Sequence, residues 1–426
     1  MYGGFGDAPK FPHTDALDLL LYAYRRDRDP DILHIARKTL ESMGRGEVFD
    51  HEWGGFFRYA TRRDWSEPHY EKMLEDNANV LRNVLALYRV TENEEHAETA
   101  RRMIAYLERK LRHPALGYFY GSQDADEQFY KLSNVDREKQ QEPYIDRTCY
   151  TSWNAMAISA YMEASWVLDR PDLRDSAIKA LEFLWQQMRA PEGGLCRFQA
   201  PDGLPQVPGL LGDQAYGARA LLDAAEVTCD SLWLDRAIEL AEFTVERFAH
   251  RDGDGKVAGF YDVWDQVAEV GRLRDRQKSI QDNSVCAEVF IRLHHLTRDE
   301  RYLEVVRGTL DAFVSVYPQM GYFASGFAKA VDMLLNPPAE VNIVGSIEAV
   351  AGLHRKALLL DLPSRVVQVL DPERDAERLA ALYLPPEPAP AAYACVGTMC
   401  SAPVTSPDQL EETVREMQAI AGPRSA

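Results

Sequence analysis

Histidines and carboxylates set among aromatic rings and arginines are the raw material of acid–base chemistry on a polar, ring-shaped ligand. This chain concentrates them between Asp50 and Asn77, in DHEWGGFFRYATRRDWSEPHYEKMLEDN. Trp53, Tyr59 and Trp65 offer flat faces for a sugar ring, and Trp153 adds a fourth further along. Arg58 and Lys72 suit a carboxylate or hydroxyl groups. Proton abstraction beside a carbonyl needs imidazoles that titrate near neutral pH, which makes His69 the first candidate base. His51, His113 or His250 would supply a second, whereas His294 and His295 fall at the far end of their helix and read as structural. Glycoside hydrolysis needs two carboxyl groups instead, and Asp76, Asp213 and Asp282 are the candidates for that. The plain alternatives are core packing for each aromatic and an i,i+4 ion pair for Lys72 and Asp76.

These side chains recur in a pattern. Asp76-Asn77-Ala78, Trp153-Asn154-Ala155, Asp213-Gln214-Ala215 and Asp282-Asn283-Ser284 each place an amide before a small residue. Asn77, Asn154 and Asn283 are therefore candidate ligand-binding groups. N-capping accounts for Asp213 and Asp282. On one helix running from Pro68 to Tyr88, His69, Met73, Asp76, Asn77, Val80 and Val84 share one arc, so His69, Asp76 and Asn77 require a polar cavity or partners.

The elements that must hold them are helices. Apolar residues at three- and four-residue steps predict pairs over 14–43, then 68–88 with 94–111, 152–167 with 173–188, 213–228 with 232–248, and 282–296 with 301–317. A less regular pair is expected over 326–335 and 346–360. Glycine-aromatic turns punctuate the series at GGFG (3), WGGFF (53), LGYFY (116), EGGLCRF (192), AGFYDVW (258) and MGYFAS (320). Six hairpins with one turn type predict a closed ring of inner helices inside a ring of outer ones, with helix N-termini gathered at one mouth. An open solenoid is the competing arrangement. Beyond Pro338, EVNIVG, RVVQVL and AYACVG are strand-like and predict a small α/β appendage. The expected domains are 1–337 and 338–426.

Bulk properties narrow the function. The chain has 426 residues, a net charge of −19 and 27% charged residues. That acidity argues against a nucleic-acid groove or an anionic membrane as partner. Without a membrane-length apolar run or a signal-like start, a cytoplasmic location is expected. Six cysteines are scattered, and only Cys395 and Cys400 are close; a structural disulfide or two idle thiols fits them better than redox chemistry. No metal spacing, phosphate loop or cofactor motif appears, so no cofactor and no metal are expected.

GGFGDAPKFPH, GGFFRY followed by WSEPHYEKMLEDNA, GSQDAD, SWNA and a final C-x4-C-S-x-P together resemble the thioredoxin-domain-containing proteins of the YyaL and spermatogenesis-associated type. The resemblance runs from Gly3 to near Pro403, and PHYEKMLEDNA is its most specific part. It implies a mainly α fold, an (α/α)6 toroid like that of six-hairpin glycosidases and N-acylglucosamine 2-epimerases. Family members usually begin with a thioredoxin-like domain, and this chain starts where such a domain would end. The resemblance therefore implies that any redox role of that domain is absent here or sits on a separate thioredoxin-like chain. The family's insertion after QDAD is shortened here.

The expectation is a carbohydrate-active protein that binds a small sugar at the toroid mouth: an epimerase or isomerase with His69 as base, alternatively a carboxylate-based glycosidase. A non-catalytic module beside a thioredoxin-like domain is the reading from a different class.

Overall fold

Sixteen α-helices are formed among the described residues of this computed structural model, which are 2–265, 274–397 and 399–421. They fall into two compact units, Met1–Ala220 and Leu221–Ala426.

In the first unit, α1 (Thr14–Asp27) pairs with α2 (Pro30–Arg45), α3 (Leu74–Thr91) with α4 (Glu94–Tyr106), and α7 (Thr151–Val167) with α8 (Pro171–Gln187). The short helices α5 (Glu127–Tyr130) and α6 (Asn134–Arg137) lie between α4 and α7. The odd-numbered members α1, α3 and α7 also pack side by side. α7 is buried nearly all round, as its run of Ala, Met, Ile and Ser requires. The outer helices α2 and α4 start with self-made caps: Asp29 accepts from Asp31 N, with Pro30 at the first helical position, and Asn93 accepts from Glu95 N. α3 and α7 have no side-chain cap of their own, because Met73 and Tyr150 occupy the cap positions.

The predicted helix over 68–88 begins later than expected. Pro68–His69 and Lys72–Met73 are short strands, and Met73 is still extended at φ −91°. Pairing of Tyr59 with His69 and of Lys72 with Gln123 holds this segment straight. The shared helical arc is therefore corrected: His69 is not on α3, and Asp76 and Asn77 lie in its first turn.

α9 (Leu211–Thr228) begins in the first unit and ends in the second. The second unit continues with α10 (Ser231–Phe248), α11 (Ile280–Thr297), α12 (Arg301–Asp311) and α13 (Ser325–Leu335). α11 packs against α12 and α13. Gly308 on α12 touches the strand Val257–Phe260 so closely that a Cβ there would lie 1.8 Å from the Val257 carbonyl oxygen.

The expected pairing of 326–335 with 346–360 is also corrected. α14 (Ile347–Leu359) packs on a four-stranded sheet, because its apolar face fits the strand side chains. Strand order is Arg365–Leu370, Ala339–Val344, Ala391–Val396, Met399–Cys400; the first two are parallel and the others antiparallel to their neighbours. Val341, Ile343 and Val367 meet Val350 and Leu353 of α14 and Leu410 and Val414 of α16 (Pro407–Ala421). The remaining helix, α15 (Ala376–Ala381), follows the strand Arg365–Leu370. On the central strand Glu340 is buried and accepts from Arg298 at 2.8 and 2.6 Å, with His295 Nδ1 at 2.7 Å. His295 is thus structural, as its place on α11 implied. Cys395 and Cys400 form a disulfide across the last two strands.

Candidate functional site

The first group of polar side chains surrounds the start of α3. A two-stranded hairpin aligns Tyr59 with His69, and their rings stack at 5.0 Å with an interplanar angle of 10°. Glu71 Oε2 accepts from the Arg58 guanidinium at 3.2 Å and lies 3.9 Å from His69 Nδ1. The Arg58 backbone N–H also donates to the Glu71 carbonyl at 2.9 Å, which fixes this register. Asp76 is the third residue of α3. Burial pushes its carboxyl up to about 7, the Glu75 charge adds to this, and Arg58 opposes it. Neither Asp76 Oδ2 nor His69 Nδ1 has a hydrogen-bond partner among the described residues. Arg58 and His69 remain partly open to solvent.

The second group lies at the start of α7. Asp213 is fully buried, and its Oδ1 accepts from Ser152 N and from Arg197, both at 3.0 Å. It therefore caps α7, not its own helix as expected. Burial pushes this carboxyl up to about 7 despite Arg197, and Oδ2 has no partner among the described residues. Arg197 also donates to Ser152 Oγ at 2.6 Å. Trp153 stands beside Tyr150 at 4.4 Å, and the Tyr150 hydroxyl donates to Asp146 at 3.0 Å. The strands Lys72–Met73, Ser122–Gln123 and Ile145–Asp146 form one small sheet, so the two groups share a backbone frame.

In the second unit, Lys278 Nζ lies 2.9 Å from His250 Nδ1 and donates to the Ala258 carbonyl at 2.6 Å. Ser279 caps α11 by accepting from Asp282 N, so Asp282 is not the cap that its sequence position suggested. Asp282 is half-buried there.

Several expected ligand-binding residues have other work. Asn77 Oδ1 accepts from Phe56 N at 2.7 Å, while Nδ2 donates to the Phe56 carbonyl at 3.0 Å and the Met73 carbonyl at 2.9 Å. Asn154 does the same to Phe119 and Tyr150, and Asn283 to Phe260 and Ser279. Gln214 repeats it on Leu195 and Leu210. All four amides are buried, and their hydrogen-bonding capacity goes to backbone. Lys72 is buried against Asp50 at 2.6 Å and the Gly54 carbonyl at 2.8 Å, not paired with Asp76. Burial lowers its amine to about 8 although Asp50 pulls upward. Trp53 is packed inside, donating to Asn134 at 2.8 Å with Lys110 over its ring. Trp65 is fully buried and donates to the Tyr2 carbonyl at 3.0 Å.

His51 and His113 do not join His69: His51 Nε2 faces the Gly46 carbonyl, and His113 Nδ1 accepts from Ala115 N and Leu116 N. Reading residues alone missed Glu71, Ser152 and Arg197. Glu71 was within reach, two positions from His69 and so on the same side of an extended segment. Arg197 carries no sequence signal.

No protein-family model matches the sequence. Human spermatogenesis-associated protein 20 is 24% identical over an alignment that takes in 96% of this chain and 67% of that protein. The rat counterpart is 23% identical over 97% of this chain. A Caenorhabditis elegans protein, B0495.5, is 36% identical over 129 residues, 29% of this chain and 18% of its own length. Among solved structures, cellobiose 2-epimerase from Bacillus thermoamylovorans B4167 superposes with a TM-score of 0.60 at 15% identity, covering 74% of this chain and 81% of that one. D-mannose isomerase gives 0.59 at 14% identity, covering 74% and 81%. A family 76 glycoside hydrolase from Bacteroides thetaiotaomicron gives 0.53 at 14%, covering 78% and 71%. At these identities the structural likeness speaks for the fold. No described helix is long and apolar enough to cross a membrane. The chain is thus similar, over nearly its whole length, to spermatogenesis-associated protein 20, and its helical part has the (α/α)6 six-hairpin fold.

Proposed function

We propose that this protein is carbohydrate-active and carries out acid–base chemistry on a small sugar at the N-terminal ends of α3 and α7. The observation that carries the reading is Asp76. It is a buried carboxyl raised to about 7, with one oxygen unpartnered among the described residues. It feels the charges of Arg58 and Glu71, and Glu71 in turn lies 3.9 Å from Nδ1 of the partly exposed His69. A carboxyl that keeps its proton near neutral pH donates a hydrogen bond, and an unprotonated imidazole nitrogen accepts a proton.

On an open-chain sugar this pair suits epimerisation or isomerisation. His69 removes the proton beside the carbonyl, Asp76 donates to the carbonyl oxygen, and Arg58 balances the negative charge that develops. Protonation of the intermediate from either face, or at the neighbouring carbon, completes the exchange. The six-hairpin structures named above include a sugar epimerase and a sugar isomerase, which supports this substrate class. One imidazole and one carboxyl replace the two imidazoles expected from the sequence.

A hydrolytic reading has its own support in Asp213, a second buried carboxyl raised to about 7. One experiment separates the two. Incubation of a mono- and disaccharide panel in deuterated water should put deuterium on the carbon beside the carbonyl of one sugar, and His69→Ala and Asp76→Asn should each abolish it. Release of a reducing sugar without deuterium incorporation would move the function to hydrolysis. Neither product, together with no thermal shift from any sugar, would overturn the carbohydrate reading.

A further inference from the structure

Apart from the groups above, the first unit carries a cleft between α2, the end of α3 and α4, of about 260 Å3. Leu40, Val84 and Leu87 form its apolar walls, and Glu41, Glu95 and His96 its polar side. His96 is the informative residue. Its side chain is 8% exposed, and Nε2 has no hydrogen-bond partner among the described residues.

The state of that nitrogen follows from its neighbours. Thr91 has a single hydroxyl hydrogen, and Thr91 Oγ1 donates it to the Leu87 carbonyl at 2.8 Å. The 2.9 Å contact between Thr91 Oγ1 and His96 Nδ1 must then have the ring as donor. In the neutral ring Nδ1 carries the hydrogen, and Nε2 is left as a bare acceptor. Burial lowers the pKa of His96, against the opposing pull of Glu41, and so favours this neutral form. Glu41 Oε1 stands 3.6 Å from the bare nitrogen, beyond hydrogen-bond distance. Two acceptors thus face each other across a gap, in a cleft with an aliphatic lining. A group that donates to both and carries positive charge completes the arrangement.

The geometry points to a small-molecule site here that takes a primary amine as its ammonium ion, with the nitrogen bridging His96 Nε2 and Glu41 Oε1 from the cleft side and an aliphatic or cyclic body against Leu40, Val84 and Leu87. The volume limits the ligand to something near the lower end of ordinary small-molecule pockets. Arg45 approaches Glu41 Oε2 only at 3.6 Å and Arg37 approaches Oε1 only at 4.0 Å, and both are about half exposed or more, so neither occupies the position beside His96 Nε2.

Cyclohexylamine is a suitable probe, with cyclohexanol and cyclohexanecarboxylate as controls, followed by calorimetric titration of the full chain. The amine should bind, the carboxylate should not, and the alcohol should bind about tenfold more weakly or less, as for loss of one charge-assisted hydrogen bond. Glu41→Gln should weaken the amine by about the same factor, for the same reason. Gly44→Leu is the blocking variant. A Cβ added at Gly44 meets no atom within 4 Å, so the longer side chain can enter the cleft while α2 stays intact. It should abolish binding with no loss of melting temperature. Absence of amine binding to the unaltered chain overturns the proposal. So does equal binding by the unaltered chain and Gly44→Leu, or by amine and alcohol.

Discussion

Asn77 holds both peptide groups of Phe56, accepting from its N–H and donating to its carbonyl across 21 residues of sequence. Gly55, next to the clamped residue, has φ +79°, and a Cβ there would lie 2.7 Å from the Tyr106 ring and 3.1 Å from Asn77 Oδ1. The glycine-aromatic turn and the amide-small motif are therefore two halves of one device. It recurs as Asn154 with Phe119, Gln214 with Leu195 and Asn283 with Phe260.

Asn77→Leu should lose about 3–5 kcal/mol of stability, since it strands two buried backbone groups at roughly 1–3 kcal/mol each and removes the bond to Met73. Denaturant unfolding measures this. A loss below about 1 kcal/mol would mean that the loop re-satisfies itself without the amide.

Asp76 makes stability depend on pH with a definite sign. Its folded carboxyl is raised to about 7, against roughly 3.9 in an unfolded chain. Between those values the native state keeps a proton that the unfolded state has released, so this group costs stability progressively as pH rises from about 4 to about 7. Asp76→Asn removes that cost. The variant should melt higher than the unaltered chain at pH 8 and gain nothing at pH 4. Melting curves that differ by the same amount at every pH would show that the carboxyl is not held protonated.

Asp50 offers a third test. It accepts from Lys72, twice from Arg137 at 3.0 and 2.8 Å, and from the backbone of Glu52 and Trp53, all in a buried site. Burial alone would raise this carboxyl, but Lys72 and Arg137 together hold it below the ordinary range. Asp50→Ala leaves two buried cations without a counter-charge and should cost about 3–5 kcal/mol or prevent folding. Lys72→Met keeps the Asp50–Arg137 pair and adds an apolar chain among Phe57, Tyr106 and Tyr130, so it should cost clearly less. Equal losses for the two would refute the hub role of Asp50.

The helices were legible because their apolar periodicity is regular. α4, α8, α10 and α11 begin within two residues of their predicted starts, where Pro171 or a side-chain cap marks the turn. The start of α3 was not legible. A helical period can be drawn through His69 and Met73, and only pairing with Tyr59 and Gln123, distant in sequence, straightens that segment. Composition alone marked Asp50–Asn77 as polar and aromatic, yet it could not separate side chains that face the site from those spent on the backbone. Tyr59 stacks on His69, Glu71 joins His69 to Arg58, and Arg58 acts electrostatically on Asp76. Trp53, Trp65, Lys72 and Asn77, drawn from the same stretch, support the loop from inside.

The clamp engages only peptide N–H and carbonyl groups, which every residue but proline supplies at the clamped position. Phenylalanine occupies it three times and leucine once, at Leu195. The anchoring of each loop is thus indifferent to the side chain it anchors. Loops on such a scaffold can be exchanged, lengthened or reshaped around a fixed point of attachment, and new ligand preferences can be grafted without rebuilding the helices beneath.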